Sequence, residues 1–422
     1  MQFYFQQYKK NWYPKLFLGA CVAVSITIPY PTIVYNNIAT ILLGFLWLTS
    51  GDAWLGYKNY FRGYLVAALL FYICYVYGVS YSANGLEAGI DLERKIPLLL
   101  FPLILLSAKE QLTPQLIFWV LLSFVLTCIF LFLLCIANAY MVYIYSQSLD
   151  YFFYHDLSIV LNLHAIYFSM HLAFALLILL YWAYFHSKNW RMWQWTMMSL
   201  GSLILSLGLL LLGGRIVQGA LVIILMGFVT YSVYQQPRYR WYILLATFVL
   251  MVLTVGIVLS SETLKKRFTE LTEKGLVFDA QKNNASGWTL RQAKWRCAME
   301  IWQQNFWWGV GTGDVQDNLQ KCYEKNNFWG HVFRFNTHNQ YLETAVALGL
   351  IGLLILLSYL GIIFYEAVAQ KNTLLLSLIT LLSVSFITEA MLNRQKAIVL
   401  MAFFVSLLLS YASNSSPSNQ PQ

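Results

Sequence analysis

The sequence predicts an all-α, polytopic membrane protein of about 12 transmembrane helices, with one large polar loop on the extracytoplasmic side between helices 9 and 10. Three observations predict it. Of 422 residues, 59% are hydrophobic and only 11% are charged, whereas a soluble domain carries about 25% charged residues. The stretches Pro114 to Tyr145 and Met192 to Gly214 contain no charge, and a helix needs about 20 apolar residues to cross a hydrocarbon core of roughly 30 Å. The third is the contrast between these runs and residues 262–338, which are polar and rich in charge and Trp. The net charge of +9 is scattered among loops, where Lys and Arg set orientation, and so argues against nucleic acid as a partner.

Hydropathy places spans near 15–34, 35–50, 63–82, 96–108, 114–137, 161–186, 192–212, 215–235, 241–261, 341–366, 373–392 and 396–412. The first of these lacks a small-residue cleavage site of the usual form and reads as a retained helix. The expected organisation is helices 1–9 over residues 1–261, the loop over 262–338, helices 10–12 over 339–412, and a polar tail over 413–422. That tail of Ser, Asn, Pro and Gln cannot bury a core and is expected to be disordered.

Charge counting gives an orientation. With the amino terminus inside and twelve spans, Lys9, Lys10, Lys15, Lys58, Arg62, Lys109, Lys188, Arg191, Arg238, Arg240 and Lys371 fall inside, eleven cations. Arg94, Lys95, Arg215, Arg394 and Lys396 fall in short outside segments, five. The asymmetry follows the positive-inside rule, from which long translocated loops are exempt. It puts the Gly213-Gly214-Arg215 turn and all of residues 262–338 outside.

The long loop holds Trp288, Trp295, Trp302, Trp307, Trp308 and Trp329, a density foreign to disordered chain. Thr289 to Asn305 reads as an amphipathic helix, with Arg291, Trp295, Ala298 and Trp302 on one face. Such a helix fits either the membrane interface or a small packed ectodomain. Cys21, Cys74, Cys128 and Cys135 lie in spans as small hydrophobes. Cys297 and Cys322 share the outer loop, where an oxidising compartment would allow a disulfide; the sequence leaves the pairing open.

Four places can carry chemistry. Arg215 follows two glycines at the start of a helix, where free N–H groups and a partial positive charge suit phosphate. The alternative is an Arg that snorkels to headgroups. Arg291 sits on the amphipathic helix, where lipid phosphate is the bland partner. Gly309-Val310-Gly311-Thr312-Gly313-Asp314 lacks the Lys-Ser/Thr of a phosphate loop and reads as a tight turn. In Thr337-His338-Asn339-Gln340, His338 can act as a proton acceptor near neutral pH. Asn339 and Glu343, one helical turn apart, can orient the imidazole or a sugar. If the topology holds, Arg215, Arg291 and His338 face one side at similar depth. Two cations and a base suit a reaction in which pyrophosphate leaves and a hydroxyl attacks. No His/Cys cluster with metal-ligand spacing is present in the sequence, so no metal or other cofactor is expected.

These residues resemble a known family. The Arg after a glycine turn, the outer loop reading Arg291…Trp295…Gly309-Val310-Gly311-Thr312-Gly313-Asp314, then His338-Asn339-Gln340-Tyr341-Leu342 and Gly349-Leu350-Ile351-Gly352, look like the O-antigen ligase family. Its wider superfamily also holds O-antigen polymerases and bacterial O-oligosaccharyltransferases. The likeness covers mainly 210–355, and Gly-Gly-Arg stands where many relatives have Ser-Arg-Gly. The resemblance implies a multi-pass protein of the bacterial inner membrane with its active site facing the periplasm. It implies a metal-independent transfer of glycan from an undecaprenyl-pyrophosphate donor to a lipid A-core acceptor, as in lipopolysaccharide biosynthesis; direct attack by the acceptor would invert the anomeric centre. His338 would be the base and Arg215 and Arg291 would bind the pyrophosphate, with membrane lipids around them. The competing readings are a polymerase, a protein O-oligosaccharyltransferase, and, from a different class, a lipid-linked sugar transporter or flippase.

Overall fold

A computed structural model describes residues 12–50, 63–235, 287–328, 330 and 332–414. The expected span at 241–261, residues 262–286 of the loop, Trp329 and the tail beyond 414 lie outside the described residues, as do Lys9, Lys10, Lys58, Arg62, Arg238 and Arg240.

All regular secondary structure among the described residues is helical. The helices are α1 (Tyr13–Thr27), α2 (Ile33–Ser50), α3 (Gly63–Val79), α4 (Gly85–Lys95), α5 (Pro97–Ser107), α6 (Pro114–Ser146), the single turn α7 (Tyr154–Ser158), α8 (Ala165–Phe185), α9 (Met192–Leu212) and α10 (Arg215–Gln235). After the undescribed stretch come α11 (Gly287–Gln304), α12 (Val315–Lys325), α13 (Gln340–Ala369), α14 (Thr373–Ser385) and α15 (Gln395–Asn414). Helices α2, α6, α8, α9 and α13 are long and apolar enough to cross a membrane; α1, α3, α10, α14 and α15 are shorter apolar helices.

Helix starts follow local chemistry. Thr113 accepts from the Leu116 N–H before a Pro at the first position of α6, and Asn84, Asn339 and Asn372 cap α4, α13 and α14 in the same manner. Each satisfies one of the amides that a helix start leaves without an intrahelical acceptor. The centre of the bundle is α8, whose apolar window is 89% buried against 28% for α2 and α9. Helices apolar all round belong in a core or in lipid, so α8 is protein-enclosed and α2 and α9 are peripheral. Helix α15 is buried almost throughout from Ala397 to Ser410 and packs along α5.

Several expected spans come out differently; the first, expected over 15–34, stops as a helix at Thr27, and the next helix begins at Ile33. The fourth contains only the 11 residues of α5, about 16 Å at 1.5 Å per residue, roughly half a hydrocarbon core. It continues from the polar α4, whose Lys95 is fully buried with Nζ 2.6 Å from Asp91 Oδ1 and 4.3 Å from the Tyr75 ring centre. The eleventh, expected over 373–392, stops as a helix at Ser385. The next residues turn because α13 claims them: Gln340 N–H donates to Phe386 O (2.8 Å), and Gln340 Oε1 accepts from Leu392 N–H (2.7 Å).

Helix α13 is broken at Gly349, with φ +66 and ψ −161, a region essentially reserved for glycine. The segment after α11 fills the break. Val310 and Gly311 N–H donate to the Val346 and Ala347 carbonyls at 2.8 and 3.0 Å, and Leu350 N–H donates to Phe306 O at 2.8 Å. A broken helix at membrane depth is tolerated only where its freed backbone groups find partners, and this loop supplies them.

Candidate active site

The Gly309–Asp314 turn is a structural clasp. Its amides are committed: besides the two bonds to α13, Thr312 N–H donates to Gly78 O (3.3 Å), Gly313 N–H to Ser82 Oγ (3.0 Å) and Asp314 N–H to Gly311 O (3.4 Å). Asp314 in turn accepts from Ala83 and Asn84 N–H at 2.7 and 2.8 Å. No amide is left to cradle phosphate.

Helix α11 spans the amphipathic stretch read from the sequence. It buries Thr289, Lys294, Cys297, Ala298 and Ile301, with Arg291, Trp295 and Trp302 half-buried. It is tied to α12 by a Cys297–Cys322 disulfide across a Cα separation of 5.8 Å. The pairing that the sequence left open is present.

Arg215 opens α10. Gly213, at φ +57, ends α9 in the left-handed conformation with its N–H on Leu209 O, a common glycine helix stop. The chain then reverses into α10. Arg291 lies one turn into α11, and Gly287, which starts that helix, is where the two guanidinium groups approach. A methyl built on Gly287 would lie 3.6 Å from Arg291 Nη1 and 3.7 Å from Arg215 Nη2. Arg291 donates from Nη1 to Gly287 O (3.0 Å), from Nε to Thr388 O (3.2 Å) and from Nη2 to Glu389 Oε1 (2.9 Å). A guanidinium has five N–H donors, so two remain for a ligand.

Glu389 links this cationic corner to His338. Its Oε2 stands 3.2 Å from His338 Nδ1, within ion-pair reach but short of hydrogen-bond alignment. Contacts of this kind often tighten only when substrate binds. Glu389 is 2% exposed. Burial disfavours its charge, yet His338 and Arg291 outweigh burial and hold the carboxyl down at about 2. His164, which caps α8, also lies within electrostatic reach of Glu389, His338 and Arg291.

His338 itself has φ +46, unusual for a residue with a Cβ and costing of order 1–3 kcal/mol. The surroundings enforce it. Its N–H donates to Asn336 Oδ1 (3.1 Å), and its carbonyl accepts from Trp295 Nε1 (3.4 Å). The preceding Thr337 is clamped by Glu343 Oε2, which accepts from Thr337 Oγ1 (2.6 Å) and N–H (3.2 Å). Asn339 Oδ1 caps α13 through Leu342 N–H at 3.0 Å. The atoms of Asn339 and Glu343 thus hold the backbone on either side of the imidazole.

Sequence reasoning missed Glu389 and Lys294. Glu389 is the single acidic residue between Lys371 and Arg394 in a stretch read as a span. A lone ionisable group in an apolar run is itself a signal of function. Lys294 is 4% exposed, with Nζ 3.9 Å from the centre of the Phe335 ring and no carboxylate in salt-bridge range among the described residues. Burial first, and Arg291 second, lower it to about 7.

Apolar helices able to cross a membrane, with ionisable side chains from separate segments gathered at one end, define a multi-pass membrane protein with a polar site at the bundle's edge. Residues 200–357, which contain Arg215, Arg291 and His338, match the family model described as O-antigen ligase. Over that segment the chain is similar to the O-antigen ligase family, whose members are membrane glycosyl-transfer enzymes of O-antigen and lipopolysaccharide pathways that use lipid-linked glycans. No curated protein matches the chain.

Proposed function

We propose that the protein transfers a glycan from an undecaprenyl-pyrophosphate carrier to a sugar hydroxyl of a lipid A-core acceptor, at the periplasmic face of a bacterial inner membrane. The observation that carries the reading is the gathering of Arg215, Arg291 and His338 around Gly287 and Glu389, from three segments far apart in sequence. The disulfide between Cys297 and Cys322 supports an oxidising compartment for this end of the molecule.

In the proposed reaction the acceptor hydroxyl oxygen attacks the anomeric carbon, and its proton passes to His338 Nε2. The bond from that carbon to the pyrophosphate oxygen breaks, and its electron pair leaves with the diphosphate. Attack from the face opposite the leaving group inverts the anomeric centre. Glu389, near Nδ1, stabilises the imidazolium as it forms, the role of an orienting carboxylate behind a base. Arg215 and Arg291 stabilise charge developing on the leaving group, which fixed cations in a water-poor site do strongly. The guanidinium groups do the work for which other transferases use a metal. Asn339 and Glu343 act by positioning His338.

The test supplies purified protein in detergent with carrier-linked glycan and lipid A-core. The wild type is expected to form capped glycolipid. His338→Ala should lower the rate by about 10²–10⁴-fold, the usual contribution of a positioned base, while eluting as a folded species. Wild-type turnover in that variant overturns the assignment of the base. Longer carrier-linked chains in place of capped acceptor would make the protein a polymerase.

A further inference from the structure

A cavity of about 110 Å³ shares Glu343 with the candidate active site. Its polar wall is built from Glu87, Asp91 and Arg94 of α4, Gln316 of α12, Glu343 of α13 and Asn393. We propose that it is the acceptor-side subsite, taking a neutral, hydroxyl-rich sugar ring; this rests on the transfer reading above.

Size is the first argument. Pockets for drug-sized ligands run to about 300–1,000 Å³, so this one suits a single ring rather than a lipid or an oligosaccharide.

Its chemistry is the second. A sugar hydroxyl both donates and accepts, and the wall offers both partners: carboxylate oxygens to receive hydrogen bonds, and guanidinium and amide N–H groups to give them. Tyr75 adds an aromatic side chain at the same cavity. With Asp91 paired to Lys95, two further carboxylates, Glu87 and Glu343, face one cation, Arg94, on the cavity wall. Such a surplus repels pyrophosphate, the ligand proposed for the corner at Arg215 and Arg291. The two places therefore select substrates of different charge.

Position is the third. Glu343 lines the cavity while its Oε2 binds Thr337, the residue before His338. Asn393 lines it too, donating from Nδ2 to Glu343 Oε1 at 2.6 Å, and it follows Glu389 by four residues. The segments that carry the base and its carboxylate thus also form one wall of the cavity. His338 does not itself line the cavity, so a ring bound there would reach the base from the side of Glu343, which holds the residue before it.

The cavity is also preformed. Asp314 fixes the start of α4 through Ala83 and Asn84 N–H, and Asn84 Nδ2 donates to Asp317 of α12 at 3.0 Å. A rigid site loses little ordering entropy on binding.

The experiment uses full-length protein with Glu87→Ala and Arg94→Ala, two half-buried residues that line the cavity. Acceptor and donor KM are measured separately, with a phosphate-free core oligosaccharide as acceptor. Each variant should raise acceptor KM about tenfold, with kcat within about twofold and donor KM unchanged, the loss of roughly one charge-assisted hydrogen bond. Unchanged acceptor KM in both variants, or a raised donor KM, overturns the subsite. Calorimetric titration of the same oligosaccharide without donor separates the two proposals. Binding to wild type that weakens in Glu87→Ala, in a protein that transfers nothing, sinks the transfer reading and leaves the cavity as a sugar site. Transfer with equal binding in all three proteins does the reverse.

Discussion

Two glycine-rich turns sit at the same end of this molecule, and their hydrogen bonds assign them opposite tasks. In Gly309–Asp314 the amides from Val310 onward already have acceptors, two of them on α13 at its break. In Gly213-Gly214-Arg215 the turn ends one helix and opens another, and a helix start leaves its first amides without intrahelical acceptors. The first sequence looks like a phosphate loop and is a clasp. The second is the shorter motif and stands next to the guanidinium groups. Composition alone does not separate the two; the destination of each N–H does.

The largest expected effect tests this contrast directly. Gly309 has φ +73, and a Cβ there would run into the Ala347 carbonyl; at Gly349 a Cβ would meet the backbone of Trp307. Gly309→Ala and Gly349→Ala should each destabilise the protein by several kcal/mol, strain of about 1–3 kcal/mol plus the clash, and abolish monodisperse elution from detergent. In Gly214→Ala the new methyl would meet Ser169 Oγ at 2.9 Å, a hydroxyl with no hydrogen-bond partner to lose. That variant should fold, with a melting temperature within a few degrees of wild type, and raise donor KM several-fold. Equal damage from Gly214→Ala and Gly309→Ala would erase the distinction.

The same bookkeeping applied to charge predicts the next effect in size. Arg291 has a buried carboxylate opposite it, and removing one partner of a buried pair costs about 3–5 kcal/mol. Glu389→Ala should therefore lower the melting temperature markedly, and Glu389→Gln, which keeps an acceptor, less so. Because the carboxyl is held at about 2, below the ordinary value of about 4.3, its contribution is complete above that ordinary value and fades as pH falls toward 2. Thermal melts of wild type and Glu389→Gln between pH 3 and 7 should converge at the acid end. Parallel curves across that range would mean that Arg291 does not depend on the charge of Glu389.

How much of this was legible in the sequence depends on what each feature requires. Apolar length is local, so the long helices read directly, whereas Asn339, read as a residue to orient the imidazole or a sugar, proves to be the cap of α13. Arg215, Arg291 and His338 carry a turn, a helix face and a motif around them, which is why they stood out. Glu389 carries none: it sits in a largely apolar run, and the helix expected to contain it ends at Ser385, where Gln340, from another helix, bonds to Phe386 and Leu392. The break at Gly349 was likewise hidden, since a Gly-x-x-Gly pair inside an apolar run equally fits an unbroken span. The cavity at Glu87 and Gln316 joins segments more than 200 residues apart, a juxtaposition that spacing along the chain does not encode.

Lys294 carries the smallest prediction and the sharpest contrast with Arg291, three positions away on the same helix but without its carboxylate. Burial lowers Lys294 to about 7, whereas in an unfolded chain a lysine titrates near 10.4. Between those values the unfolded state binds more protons, so stability rises with pH across that window. Below about 7 both states are protonated and the full desolvation penalty of the buried ammonium is expressed. Lys294→Met keeps the aliphatic stem against Phe335 and removes the charge. It should raise the melting temperature by a few degrees at pH 6, with the gain shrinking as the pH approaches 10. Thermal melts at pH 6, 8 and 9.5 measure it. A gain that stays constant with pH would mean that packing, rather than an uncompensated buried cation, separates the variant from the wild type, and the charge-based contrast with Arg291 would fail at this residue.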